Sequence, residues 1–546
     1  MKSVSYIAFF LVAVALVTPV RQTRAQDTSR KQSVEIVSAF RPVLKNASKL
    51  SFTATPPAPD AATVQLTYSI PVQHLYFQLQ PVALKPLALP IDTSGLAHNS
   101  NYVKLGFGNY RSPLVEAGIS LGDGKKNNFN LLAGHLSQRG DLRVQRFSTT
   151  HVTAYMNSLV NKVEVYGKAG FRQQTNYLYG PDPALIATKD DSLRKPYQTF
   201  TVQAGVRNAF VTMFGASYNP HLTVSVFGDT RSSETNALLD VPIEFRMGTN
   251  FAIHLRGKID FTTYRPTGQS SYTNNVYSVN PAVAVKFQKL KVRAGVRPTW
   301  DNGKLYVLPD VLAEAQLKDQ KAILIAGWTA ELRKNNYESL AAQNPWINQP
   351  LSQFNTRITD VFGGFKGSLA HAFNYRLQFG FKEFLGQPLF VNALKPSVFE
   401  IRRESKLHAF HTQAELGFVV QDQLTAGAKL DWYNFLSQQT EAGAWHMIPL
   451  MVTGSARWKP AKIVTVKADV FAWQGARVLL TPAGSTGRLP AVFDLNAGVE
   501  VKAASNIYGW LQLNNLFNNA YERWHNYPVL GFQILAGIKL TFDQKL

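Results

Sequence analysis

The sequence predicts an all-β fold: a transmembrane antiparallel β-barrel of about 22 strands, within a range of roughly 20–24, behind a short irregular N-terminal segment. Three observations carry this expectation. The last segment alternates strictly with period two, with Phe532, Ile534, Ala536, Ile538, Leu540 and Phe542 on one face and Gln533, Gly537, Lys539 and Thr541 on the other. Successive strand side chains point to opposite faces, so this pattern suits a wall with lipid outside and water inside. The breaks between such segments alternate long and short, as expected of a barrel with long extracellular loops and short periplasmic turns. The chain also opens with the parts of a secretory signal.

Residues 1–25 are that signal. Met1-Lys2 supplies a basic start and Ile7–Val17 an apolar core. Thr23-Arg24-Ala25 forms a small-residue cleavage site between Ala25 and Gln26. The apolar run is too short for a membrane-spanning helix, which needs about 20 residues. Residues 26–100 hold Pro56, Pro57, Pro59, Pro71, Pro81, Pro86 and Pro90, which argues against long regular structure and for an irregular periplasmic or lumen-inserted segment. Residues 101–546 are the barrel. Its first strands are expected near 101–109, 112–121 and 127–137, with tight turns such as Asp123-Gly124. Long breaks follow near 177–197, 229–236, 265–273, 334–352, 386–406, 437–442, 474–490 and 518–530. Tight ones fall near Asn157–Asn161, Asn219–His221, Met247–Asn250, Gln288–Leu290, Leu317–Gln320, Ser368–His371, Val420–Gln423, Lys459–Lys462 and Ala503–Asn506.

The polar faces of these strands supply the candidate lumen charges. Lys162, Glu164, Lys168 and Arg172 oppose Val163, Val165, Ala169 and Phe171. Lys467 and Asp469 oppose Val464, Val466, Ala468 and Val470, while Asp494, Glu500 and Lys502 oppose Phe493, Leu495, Ala497, Val499 and Val501. The formal charge is +22, and losing Lys2, Arg21 and Arg24 with the signal leaves about +19. After export, nucleic acid is excluded as a partner. The excess charge either meets anionic headgroups or an anionic solute, or is simply solvated in the lumen and loops. Outer-membrane lipid, lipopolysaccharide and the barrel assembly machinery are the expected partners, and a Gram-negative outer membrane is the expected location.

Catalytic and metal chemistry find no support. Ala483-Gly484-Ser485-Thr486-Gly487 lacks the first glycine of a nucleophile elbow and reads as a turn. His408 and His411 fall on opposite faces of a strand and cannot share a metal. With no cysteine there is no disulfide framework. No catalytic residue, metal or cofactor is therefore assigned. Trp328, Trp432 and Trp473 are expected in an interfacial girdle, and Trp346 and Trp524 in loop packing.

Leu513-Asn514-Asn515-Leu516-Phe517-Asn518-Asn519-Ala520-Tyr521-Glu522 and the closing strand to Phe542 resemble the C-terminal signature of TonB-dependent receptors. Asn101–Tyr110 and Asn335–Leu340 are similar to segments of receptor-like barrels of the Bacteroidetes type. Ser33–Ala39, with Val34, Glu35, Ile36 and Val37 at its centre, is similar to a TonB box, which pairs by β-strand addition. The resemblance implies an outer-membrane transport protein with an unidentified solute and TonB, or another periplasmic protein, as partner. The chain departs from it in residues 26–100, which carry no recognisable plug signature. That departure keeps open a non-transporting outer-membrane anchor that presents loops or a periplasmic docking segment.

Overall fold

Period-two alternation becomes 22 wall strands in the computed structural model, which describes residues 100–543 except 123–125, 181–189, 211, 319–320, 351, 353, 370–371, 394–396 and 421–422. The signal with its Ala25–Gln26 site, the stretch Val34–Val37 and the Asp123-Gly124 turn lie outside the described residues. Each strand pairs antiparallel with its chain neighbours. The first strand, Ser100–Gly108, closes the ring against the last, Gln533–Asp543, in register from Ser100↔Asp543 to Gly108↔Leu535. Closure leaves no edge, so every strand finds hydrogen-bond partners on both sides even in hydrocarbon. Strands about 4.8 Å apart and tilted by about 40° give a ring on the order of 40 Å across.

The faces follow the alternation. Ile534, Ile538, Leu540 and Phe542 are exposed on the outer face of the closing strand, while Gln533 and Lys539 are buried on the inner one. Phe532 precedes the strand, which begins at Gln533. Leu535 also faces inward, packed with Leu114 and Trp510. Trp328 and Trp432 are exposed on the outer face. Trp473 instead turns inward, stacked on Phe471 at 5.3 Å and edge-on to Tyr521 at 5.2 Å.

Four boundaries differ from expectation; the first is the expected long break 229–236, which is only the four-residue turn 229–232 because the next strand begins at Ser233. The expected loop 386–406 is mostly strand, because Phe373–Val391 and Glu400–Val420 continue far past the length a bilayer needs and leave only 392–399 between them. Gly386, with φ +76°, lies between the pairs Leu385↔Lys406 and Gln387↔Glu404 and breaks the period-two reading there. Asn219-Pro220 is not a turn between strands. It interrupts one wall strand, built from Ala216–Tyr218 and His221–Gly228, and the chain reverses at 209–215. Asn302-Gly303 is an additional tight hairpin, with φ +49° and +88° as a type I′ turn requires.

The lipid-facing assignment has a direct consequence. Ala468→Arg should destabilise the barrel by about 2–4 kcal/mol near the midplane. Ser455→Arg should be tolerated, because Ser455 is exposed on the inner face and pairs in register with Asp469. Heat-modifiable migration on gels reads the difference, and equal tolerance would reverse the faces.

Candidate functional site

Two features distinguish the interior: a charged wall and a lid. The wall charges pair between strands, either with the neighbouring strand or with the one beyond it, and so stabilise a polar face. Glu164 receives Arg207 at 2.7 Å and Lys539 reaches Glu500 at 2.5 Å. Asp310 sits between Arg293 at 2.6 Å and Arg297 at 3.8 Å, and Asp360 between His411 at 2.7 Å and Lys382 at 3.6 Å. Among the candidate charges, Lys467 and Glu500 line one cavity of about 20 Å³ with Lys104, Thr465 and Trp510, enough for a water. Asp469 shares their inner face, and Asp494 is fully buried. Lys168 lies 5.4 Å over Tyr155 and Lys502 5.9 Å over Tyr508. Arg172 is cross-strand from His151, and Lys162 lies in the turn below Glu164. The structure thus distributes these residues around the wall and does not gather them into one pocket. His408 and His411 hold separate carboxylates, Glu383 and Asp360. No group of three metal-ligating side chains occurs among the described residues.

The lid is built by the long loops. Those at 178–193, 334–355 and 515–532 leave the ring close to a third of its circumference apart, yet their aromatic rings meet. Trp346 stacks on Tyr527 at 4.1 Å, and Tyr179 stands edge-on to both, at 5.9 and 5.0 Å. Loops rooted so far apart touch only by crossing the mouth. Polar atoms lock the rings as well: Tyr179 Oη donates to the Pro528 carbonyl at 2.9 Å, Trp346 Nε1 to that of Tyr177 at 2.9 Å, and Tyr527 Oη to that of Ser397 at 2.5 Å. Phe390, Phe399 and Trp524 extend the cluster under the tall 373–420 hairpin, and Tyr197, Phe227, Tyr264 and Tyr337 extend it to the opposite wall.

Local chemistry places each loop. The helix Tyr337–Gln343 begins at the cap Asn336, whose side chain accepts from Ser339 N. The buried Glu234 carboxylate accepts from Tyr337 N at 2.6 Å, Glu338 N at 3.1 Å and Asn336 Nδ2 at 2.8 Å, which fastens this helix to the wall. A ladder of amides roots the same loop: Asn355 bonds Asn274 and Asp301, while Asn335 bonds Thr356 and the Phe354 carbonyl. Glu404, fully buried, accepts from the backbone of Lys406, Gln439, Thr440 and Glu441 at 2.7–3.3 Å and ties loop 439–449 to the hairpin. The C-terminal signature has a comparable role. Asn515 Nδ2 donates to the Asn519 and Leu530 carbonyls, and Asn518 Oδ1 accepts from Phe532 N, which closes the base of the last loop.

His446 is the lid's titratable centre. Its Nδ1 bonds the Phe390 carbonyl at 2.7 Å and its ring stacks on Trp524 at 5.2 Å. Burial first, then the nearby Arg523 guanidinium, hold its pKa down from the usual 6.5 to about 3. Burial also lowers Arg523 to about 9 and raises Glu338, whose carboxylate accepts from Ser225 Oγ at 3.2 Å. Trp346 and Trp524 are packed in their loops as the sequence implied. Glu234, Glu404, Tyr179 and His446 gave no local signal, because each acts through a partner distant in the chain.

No protein-family model matches the chain, and no curated sequence is detectably similar to it. Solved structures do share its fold. The FrpB iron transporter from Neisseria meningitidis superposes with a TM-score of 0.62 at 10% identity, covering 82% of each chain. The siderophore receptor PirA from Acinetobacter baumannii gives 0.61 at 9% identity, covering 81% of this chain and 80% of its own. A mutant of the ferric enterobactin receptor PfeA from Pseudomonas aeruginosa gives 0.60 at 11%, covering 81% and 80%. At this identity the likeness speaks for architecture alone: the chain has the barrel fold of these proteins.

Proposed function

We propose that the protein is an outer-membrane transport receptor whose barrel passes a bulky solute and whose long loops, facing outward, form a lid over the entrance. The observation that carries this reading is the three-loop aromatic contact of Tyr179, Trp346 and Tyr527 across a polar, charge-lined interior. A ring this wide exceeds what an anchor needs, and a hydrated wall of ion pairs beneath a dry lid suits a conduit that is shut at rest. The iron and siderophore named for the similar structures make a metal chelate the solute class to test first. Val34–Val37 is then the segment that pairs with a TonB-type periplasmic partner, and lipopolysaccharide surrounds the outer rim.

Planar-bilayer recording tests the conduit. The intact protein should conduct weakly, and disruption of the lid should raise its conductance. Absence of current in both states would favour the anchor that presents loops. Sidedness is read separately in this cysteine-free chain. Asp191→Cys should react with an impermeant maleimide on intact cells, whereas Ala503→Cys should not; both positions are exposed, at opposite ends of the barrel. Ile36→Pro removes a backbone donor and should abolish energised chelate uptake without changing conductance.

A further inference from the structure

The two ends of the barrel differ in chemistry as well as in loop length. Ten connections join strands on the short-turn side, and nine of them do not exceed four residues. The tenth, 209–215, is longer and carries, among its described residues, Phe210, Met213 and Phe214, which are 51%, 100% and 89% exposed. This turn is built. Asn208 Nδ2 donates to the Phe210 carbonyl at 2.6 Å and the Ala216 carbonyl at 3.1 Å, and its Oδ1 accepts from Tyr218 N at 2.8 Å. Thr212 Oγ1 accepts from Ala216 N at 2.9 Å. Gly215 takes φ +71°, and a Cβ there would meet the Arg246 carbonyl at 2.2 Å, so glycine is required. Asn208 has the same strand parity as the outward-facing Val202 and Val206, which places the turn at the lower margin of the outer apolar belt. Met247, the last residue of the strand Ser233–Met247, and Phe287, which follows the strand Val276–Lys286, are both exposed and continue the belt at neighbouring strand ends.

The charges of this rim are predominantly positive. By sequence the ten short connections carry six lysines, Lys125, Lys126, Lys162, Lys289, Lys321 and Lys462, against three aspartates, Asp123, Asp319 and Asp422; the described lysines among them are exposed. An apolar and aromatic tip on a rim with an excess of lysine is the composition of a segment that enters the interface of a bilayer with anionic headgroups. We infer that turn 209–215 is a lipid anchor: Phe210, Met213 and Phe214 enter the periplasmic leaflet of the membrane, and the lysine rim holds its anionic phospholipids. The turn follows the lower margin of the apolar belt, one polar residue, Asn208, below Val206, and that proximity makes lipid the occupant in preference to a protein. The anchor fixes the barrel's depth at its short-turn end, independently of what the barrel transports.

The full-length chain, free of native cysteine, allows a direct test. Met213→Cys carries an environment-sensitive fluorophore in vesicles of phosphatidylcholine alone or mixed with phosphatidylglycerol, and Thr249→Cys on the polar neighbouring turn serves as control. In the anionic vesicles the Met213→Cys label should shift to the blue, resist aqueous iodide and be quenched by spin-labelled lipid. Protection should weaken in phosphatidylcholine, in about 1 M salt, where the Debye length is about 3 Å, and in the Phe210→Ser, Phe214→Ser double variant. The control should remain iodide-accessible throughout. A Met213→Cys label equally accessible in both lipids overturns the anchor. So does protection that appears only when periplasmic extract is added, which would assign the turn to a protein partner.

Discussion

Trp346→Ala should convert a closed barrel into a conducting one. The side chain is buried, stacks on Tyr527, stands edge-on to Tyr179 and bonds the Tyr177 carbonyl through Nε1, so it contacts all three loops of the lid at once. Truncating a buried tryptophan costs about 3–5 kcal/mol. Taken from the lid alone, that is a shift of roughly a thousandfold in the ratio of closed to open states. The wall should not unfold, because its strands are held by a closed hydrogen-bond ring the lid does not enter. Single-channel conductance and sensitivity of cells to bulky antibiotics should both rise. Trp346→Phe, which keeps a ring, should have a smaller effect, and alanine at the outward-facing Trp300 none. Unchanged conductance in Trp346→Ala would mean that the aromatic contact does not close the path.

Acid should open the same lid. In the closed state His446 is buried and binds a proton only at about 3, whereas an opened lid returns it to about 6.5. The open state therefore binds more protons throughout that interval. The closed state keeps its full stability above about 6.5 and loses about 1.4 kcal/mol per pH unit below it, until about 3. Conductance should thus rise from pH 7 to pH 4.5, driven by about 2–3 kcal/mol. His446→Asn removes the titration and keeps a side-chain donor for the Phe390 carbonyl. It also suits the backbone, since residue 446 has φ +58°, a conformation asparagine adopts readily. A pH response that persists in His446→Asn would assign the effect to other groups.

The wall strands were legible because their determinants are local. Alternation in Gln533–Asp543 depends on neighbours two residues apart, and lipid on one side with water on the other imposes that spacing along the strand. Where a turn or bulge depended on backbone torsion, the reading slipped. Asn302-Gly303 was readable from its residue types, and Gly386 allowed the tall hairpin to continue where alternation stopped. The partners of the candidate charges were not legible, because they come from other strands: Arg207 from the strand next to that of Glu164, and Lys539 from one strand beyond the neighbour of Glu500's strand.

By itself the sequence determined strands, faces, closure and the alternation of loop lengths, since each follows from short-range periodicity and a two-solvent environment. Tertiary structure decided whether the mouth is open. Tyr179, Trp346 and Tyr527 have no common period and lie in loops far apart in the chain, and Glu404 finds its four backbone donors mostly in a different loop. Such contacts arise only after the ring closes and brings the loop bases to fixed positions around one opening. Their aromatic surfaces can then leave water by packing against one another, and burial of that surface is what holds the lid in place.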